Sequence, residues 1–483
     1  MKRTFRTQLN FNPLGGDIKE ERMQTGLEHE PKSGWELFAG TEHKAAIQKY
    51  GQDYVQFLSR CKTERETVAW LKEQAESAGF SPDLRGPQVM REVKGKSLLL
   101  ARQGRRPLSE GFRLIGAHAD TPRLDFKQHP LYEACDLALA KTHYYGGIRK
   151  YQWLSRPLAL HGVVITTDGR RIDLSLGEKP EAPVFVIADL LPHLATKQNE
   201  RKLSEAFEGE KLNVILGNRP AETEGSDVQE GGKGNNQLKK RILQILNQEY
   251  GLVEEDLFSA EVQVVPAGAA RWVGLDKSLI GGYGQDDRIC VFAAFQALMA
   301  EDSPEFTQVV IFWDKEEIGS EGATSAKSLF MEYTLQELIQ SWEPGASLAQ
   351  VFMNSRALSA DVHGAIDPDY QDLHDQLNAS KLGYGPVFCK FTGHRGKVGA
   401  NDASAEYVAW LRSLLNSAGI PWQMAEIGKV DAGGGGTVAK HLAVYGLDII
   451  DFGPGVLGMH SPFELSSAVD LYATVLAYRE FLK

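Results

Sequence analysis

The chain predicts an α/β fold, and three observations carry that expectation. Short apolar runs with the length of buried strands alternate with stretches of helical periodicity. Polar motifs rich in carboxylates and imidazoles lie just past three of those runs: after Ile115, after Trp313 and after Phe452. Open α/β sheets place their ligand crevices at such strand ends. Between His118 and Asp286 the pattern changes to paired short strands, with site-type residues on both sides of the change. That interruption predicts a second, β-rich domain inserted into the first.

Taken in order, Val55 to Ala78 carries apolar residues at helical spacing, interrupted around Lys62-Thr63. Ser97 to Ala101 and Phe112 to Ala117 predict buried strands. Leu158 to Leu176 predicts two strands around the turn Thr167-Asp168-Gly169, with further strands at Val184 to Ala188 and Val262 to Pro266. Glu222 to Gln237, rich in Gly, Glu and Asn, predicts a mobile loop. Leu238 to Leu246 predicts a short amphipathic helix, and Cys290 to Met299 an almost wholly apolar one. Gln308 to Trp313 has the continuous apolar character of a strand covered on both faces, and Leu447 to Phe452 is similar. An amphipathic helix over Ala468 to Leu482 closes the chain, with Ser467 and Asp470 as its expected cap. The division expected is a discontinuous α/β domain, residues 1–124 and 278–483, around an insert at 125–277.

Composition narrows the function. The 483 residues are 42% hydrophobic and 24% charged, ordinary for a globular protein. A net charge of -11 argues against broad nucleic-acid binding and against attraction to anionic membranes. No apolar run has the length of a membrane span, and Met1 to Glu30 lacks the apolar core of a signal peptide. Cys61, Cys135, Cys290 and Cys389 are scattered without CxxC spacing, which predicts buried free thiols in a reducing cytoplasm. No GxSxG elbow occurs. Gly433 to Gly436 lacks the lysine of a phosphate loop and predicts a tight turn before a helix.

The chemistry lies in five short stretches. They are Gly116-Ala117-His118-Ala119-Asp120, Gly284-Gln285-Asp286-Asp287-Arg288, Asp314-Lys315-Glu316-Glu317, Ser359-Ala360-Asp361 and Gly458-Met459-His460-Ser461. Two histidines, two aspartates and a glutamate can hold a pair of divalent cations if one aspartate bridges them, leaving a neighbouring glutamate as a base. Each stretch alone has a plainer reading. His118 could be a hydrogen-bonded structural residue, Asp286-Asp287 a helix cap, and Asp314 to Glu317 a solvated charge run. Against the last, the run follows a buried strand without a loop, so at least one carboxylate should enter the crevice. Asp120 suits a residue that orients a metal-binding imidazole. Asp361 and His363 are both open as ligands.

From about Phe57 to its end the chain resembles the aspartyl aminopeptidase family of di-metal aminopeptidases. The resemblance rests on Gly116 to Leu124, His143-Tyr144-Tyr145-Gly146-Gly147, Asp314 to Ser320, Ser359-Ala360-Asp361 and Met459-His460-Ser461. It implies a mixed-sheet di-zinc core with an inserted β-rich dimerisation domain. It implies that His118 and Asp361 hold one metal, Glu317 and His460 the other, and that Asp286 bridges them. Glu316 matches the general base, and His193 a histidine that enters a partner's active site. Zinc is the default metal, with manganese or cobalt open. Peptides are the implied substrates, and the implied assembly is a homo-oligomer, a dimer at least and a dodecamer among relatives.

Substrate choice departs from the family pattern. Acidic-specific members carry a lysine after Gly-Pro-Val, whereas Gly385-Pro386-Val387-Phe388-Cys389-Lys390 places Lys390 one position later than that pattern. With His394 and Arg395 it forms a basic cluster suited to an acidic side chain, or simply a solvated loop. Acidic and neutral N-terminal residues both stay open. A glutamyl or deblocking aminopeptidase of the related di-metal family, or a catalytically silent assembly subunit, are the alternatives.

Overall fold

A computed structural model describes residues 27–221, 236–300 and 303–483. Its centre is an eight-stranded mixed sheet. Across it run Gln88–Val93, Ser97–Arg102, Thr307–Trp313, Phe112–His118, Arg356–Ser359, Asp448–Gly453, Val387–Cys389 and Gln423–Met424. The four strands from Thr307–Trp313 to Asp448–Gly453 are parallel, so their carboxyl ends share one edge.

Apolar runs form these strands because both faces are covered. Val310 and Phe312 pack on one side with the helices Thr41–Arg60, Gln285–Met299 and Ala468–Leu482. Val309, Ile311 and Trp313 pack on the other with Phe330–Trp342 and Leu348–Met353. Alternate side chains thus enter separate cores, and no position in Thr307–Trp313 is exposed. The expected break at Lys62-Thr63 is a capping box. Thr63 Oγ1 accepts the Glu66 N–H at 3.1 Å, and the Glu66 carboxylate accepts the Thr63 N–H at 3.0 Å.

A second, six-stranded sheet is built wholly from residues 123–266, in the order Arg171–Leu176, Leu158–Ile165, Glu261–Pro266, Arg123–Ala134, Leu137–Tyr145, Val214–Gly217. A third sheet of five strands joins Arg271–Val273, Leu279–Gly282, Glu464–Ser467, Gly455–Leu457 and His363–Gly364. Among the described residues no helix is long and apolar enough to cross a membrane.

Four expectations need correction. Val184 to Ala188 is not a strand; it makes only the single bridges Phe185 to Leu158 and Val186 to Ile215. The closing helix is buried on nearly every side rather than amphipathic, because helices as well as the sheet pack on it. Its expected cap does not form, since the Ser467 hydroxyl has no partner and Asp470 points elsewhere. Cys135 is exposed on the hairpin turn with Asp136, although the other three thiols are buried as expected. The loop expected at Glu222 to Gln237 lies, up to residue 235, outside the described residues.

Asp470 instead accepts the N–H groups of Gly383 and Gly385, each at 2.7 Å, in a fully buried setting. Asp470→Ala strands both donors and should lower stability by about 2 kcal/mol or more. Ser467→Ala, which breaks no bond, should leave the denaturation midpoint in place. Equal losses from the two variants would show that the carboxylate is not what ties that loop to the helix.

Candidate metal centre

The shared edge of the parallel strands gathers the first group of side chains. His118 ends Phe112–His118, Asp314 to Glu317 follow Thr307–Trp313 directly, and Asp361 lies two residues past Arg356–Ser359. His460 arrives differently from expectation. The chain turns at Gly453-Pro454 out of the main sheet into Gly455–Leu457 of the third, and His460 follows on a turn with φ 64°. Asp286 and Asp287 stand before the apolar helix, but their backbone dihedrals are not helical and no side-chain cap forms.

Asp286 lies at the middle of the cluster. Its Oδ1 is 3.2 Å from His118 Nε2 and its Oδ2 is 3.1 Å from His460 Nε2. Asp361 Oδ1 is 3.8 Å from His118 Nε2 on one side, and Glu317 Oε2 is 3.3 Å from His460 Nε2 on the other. Glu316 groups with His118 and Asp361, their nearest donor atoms all within 4.8 Å of one another. Side chains that are far apart in sequence thus converge as His118, Asp286, Asp361 and Glu316 on one side, and Asp286, Glu317 and His460 on the other.

Hydrogen bonds fix how both imidazoles face. His118 Nδ1 donates to the Asp120 carbonyl at 3.1 Å, and His460 Nδ1 donates to the Gly147 carbonyl at 2.9 Å. Each leaves its Nε2 facing Asp286, the orientation a metal needs. The Asp120 carboxylate accepts the N–H groups of Glu316 and Glu317 at 3.1 and 3.2 Å and the Tyr145 hydroxyl at 2.8 Å. Asp287 accepts the His118 N–H at 3.3 Å. The second sheet reaches the centre through Tyr145 and Gly146-Gly147. Gly146 has φ 71°, and a Cβ there would sit 3.3 Å from that of Glu317.

The electrostatics call for cations. Buried Asp286 Oδ1, Asp287 Oδ1 and Glu317 Oε1 have no hydrogen-bond partner. Burial and the neighbouring Asp286 push Glu317 well above the usual carboxylate range. Burial, only partly offset by His118, and the carboxylates of Asp361, Asp120 and Asp286 raise Glu316 to about 8. Burial would lower His460, but Glu317 and Asp286 hold it up at about 11. Orphaned acceptors, mixed imidazole and carboxylate donors, and protons retained for want of positive charge all fit divalent metal. A cavity of ≈ 960 Å³ opens beside the cluster, bordered by Arg123, Tyr144, Tyr145, Lys315, Glu317 and Ile318.

Residues 57–482 match the family described as aminopeptidase I zinc metalloprotease, M18. The chain belongs to the M18 family. It is a zinc metallo-aminopeptidase. A probable M18 family aminopeptidase 1 of Thermotoga maritima is 47% identical over 449 residues, covering 91% of this chain and 97% of its own. One from Clostridium acetobutylicum is 43% identical over 472 residues, covering 95% and 100%. The crystal structure of the M18 aminopeptidase from Thermotoga maritima superposes with a TM-score of 0.88 at 46% identity, covering 94% of this chain and 100% of that one. Aminopeptidase I from Clostridium acetobutylicum also gives 0.88, at 42% identity over 95% and 100%.

Other expected site residues make their own contacts. His363 turns its Nδ1 to the Ser380 hydroxyl at 2.9 Å and takes no part in the cluster. His193 is exposed on the short turn Pro192–Leu194. Lys390 pairs with Asp402, as does Lys397 at 2.8 Å; His394, on the short strand Gly393–His394, and Arg395 after it are exposed. The sequence assigns no site role to Tyr145 and Gly147, which lie in a stretch that carries the resemblance, and does not single out Glu464, whose carboxylate accepts the N–H groups of Asp286 and His460. For Glu464 the signal was a lone charge between Phe463 and Leu465.

These shifts predict how the protein responds to pH after chelation. Glu316 ionises near 4.5 when unfolded but only near 8 in the folded site. Stability it contributes below the lower value is therefore lost as pH rises through the upper one. His460, raised from 6.5 to about 11, changes stability in the same direction. The thermal midpoint of the chelated protein should fall between pH 4.5 and about 8, while zinc should flatten the slope. A chelated midpoint that climbs across that window would contradict the electrostatic picture.

Proposed function

We propose that this aminopeptidase hydrolyses the N-terminal residue from peptides with two divalent cations, zinc by default. His118, Asp286 and Asp361 would hold one, and Asp286, Glu317 and His460 the other. The observation that carries the reading is one carboxylate, Asp286, presenting its two oxygens to two imidazoles at 3.2 and 3.1 Å. When bound, such a pair polarises the scissile carbonyl and makes water more acidic.

Glu316 is the base in this reading. Its carboxylate lies beside His118 and Asp361, and Asp120 holds its peptide N–H. As water attacks the carbonyl carbon, Glu316 takes the proton, then delivers it to the amine that leaves when the C–N bond breaks. Glu316→Gln keeps the shape and removes the acceptor. Metal content should stay unchanged and kcat fall by about 10²–10⁴. Near-normal turnover by that variant would remove Glu316 from the mechanism.

The insert, roughly 125–277, supplies the dimer contact in this reading, and His193 works in a neighbouring copy's active site. Its exposed position, flanked by exposed Leu190, Leu191 and Leu194, supports burial against a second protomer. There it would stabilise the oxyanion of the tetrahedral intermediate. His193→Ala should lower kcat by about 10²–10³. Mixing it with Glu316→Gln should restore part of the activity, because one site in the hybrid regains both groups. No recovery in a verified hybrid dimer would place His193 outside the partner's site.

Pairing of both Lys390 and Lys397 with Asp402 favours neutral over acidic N-terminal side chains, since an acidic one must compete with Asp402. Amides of Asp, Glu, Leu and Lys, each assayed with and without chelator, should rank Leu first. An Asp or Glu preference would reverse this assignment.

A further inference from the structure

Glu464 is fully buried on the strand Glu464–Ser467, whose partner strand, Leu279–Gly282, leads straight into Gln285 and Asp286. Its Oε2 accepts the N–H of Gln285 at 2.5 Å and of Asp286 at 3.3 Å. Its Oε1 accepts the N–H of His460 at 2.8 Å. One carboxylate therefore ties together two ligand-bearing segments that are remote in sequence. Its own placement is fixed by Gln285, whose Nε2 donates to the Glu464 carbonyl at 2.7 Å while its Oε1 accepts from Ser466 Oγ at 2.5 Å.

The choice of a carboxylate here is informative. Burying a negative charge next to Asp286 is costly, and a glutamine of the same shape would cost less. A glutamine, however, accepts on one arm only and would point an NH2 at a peptide N–H on the other. Only a carboxylate serves both arms. His460 also needs this anchor, because its backbone is left-handed and its Nδ1 is already committed to Gly147.

We infer that Glu464 is a positioning residue for the second cation. By holding the peptide N–H groups of Asp286 and His460, it sets the spacing of Asp286 Oδ2 from His460 Nε2, the pair that faces the second position, and so the affinity there. The inference rests on the two-cation reading above.

Metal-free wild type, Glu464→Gln and Glu464→Asp would be titrated with Co²⁺ and followed by calorimetry and visible absorption. Wild type should bind two ions. In Glu464→Gln the first should bind as before and the second about 10–100-fold more weakly. The metal-free midpoint of this variant should equal or exceed that of wild type. Loss of affinity at both positions together with a lowered metal-free midpoint would mark a merely structural residue and overturn the inference. So would a second ion bound as tightly as in wild type. If Glu464→Gln does not fold, Glu464→Asp, which keeps the charge but cannot span both arms, should show the same selective loss, and unaltered binding by it overturns the inference. A wild type that binds fewer than two ions would instead overturn the two-cation reading.

Discussion

Like charges gathered in a place that water barely reaches set the terms for this molecule. Asp120, Asp286, Asp287 and Glu464 are buried, with Glu316, Glu317 and Asp361 beside them. Neighbouring cations are already engaged: Lys315 with Asp314 at 2.8 Å, Arg123 with Asp125 at 2.8 Å, and Arg288 with the carbonyls of Lys62, Tyr283 and Gly284. Carboxylates a few ångströms apart in a medium of low polarity repel one another strongly. The chain answers partly with peptide N–H groups, those of His118, Asp286, Glu316, Glu317 and His460 each pointing at one of the outer three, Asp120, Asp287 and Glu464. Dipoles of that kind do not cancel the charge. Protons or metal ions must do so, and folding of the site is thereby linked to metal.

The constraint explains why three sheets meet at one point. Parallel strand ends bring His118, the Asp314 to Glu317 run and Asp361 from one side. The third sheet brings Glu464 and, on the turn before it, His460. From the second sheet and the turn after it come Tyr145 and the Gly147 carbonyl, so that sheet helps to build the centre and does not merely hang beside it. That sheet is fastened to the core by His161, whose Nδ1 meets Glu66 at 2.7 Å and whose Nε2 meets Glu178 at 3.0 Å. Glu66 also closes the capping box of the helix Glu64–Ser77, so one carboxylate joins a helix start to the neighbouring sheet.

What could be read beforehand follows from how local each signal is. Continuous apolar runs reveal doubly covered strands such as Thr307–Trp313, because burial on both faces leaves no room for polar residues. The five proposed ligands were visible because chemistry-bearing side chains interrupted such runs. Val184 to Ala188 shows the opposite case: its composition suits a strand, but no neighbour completes the ladder. Ser467 likewise stands at the N-cap with an extended backbone, yet its hydroxyl caps nothing, and Asp470 turns instead to the N–H groups of Gly383 and Gly385. Glu464 was hidden because its partners are backbone N–H groups from distant segments, which leave no trace in side-chain pattern.

The separation of base from ligand comes down to a single turn. Lys315 adopts φ 68° and opens the short helix Glu316–Ile318, so adjacent glutamates leave the backbone in different directions. Glu316 goes to the side of His118 and Asp361, Glu317 to the side of Asp286 and His460. Asp120 accepts both of their peptide N–H groups, one on each oxygen. The residue that orients His118 therefore also sets the relative placement of proton acceptor and ligand. A displacement of Asp120 would disturb all three at once, which is why a fully buried carboxylate stands beside the ligands at this turn.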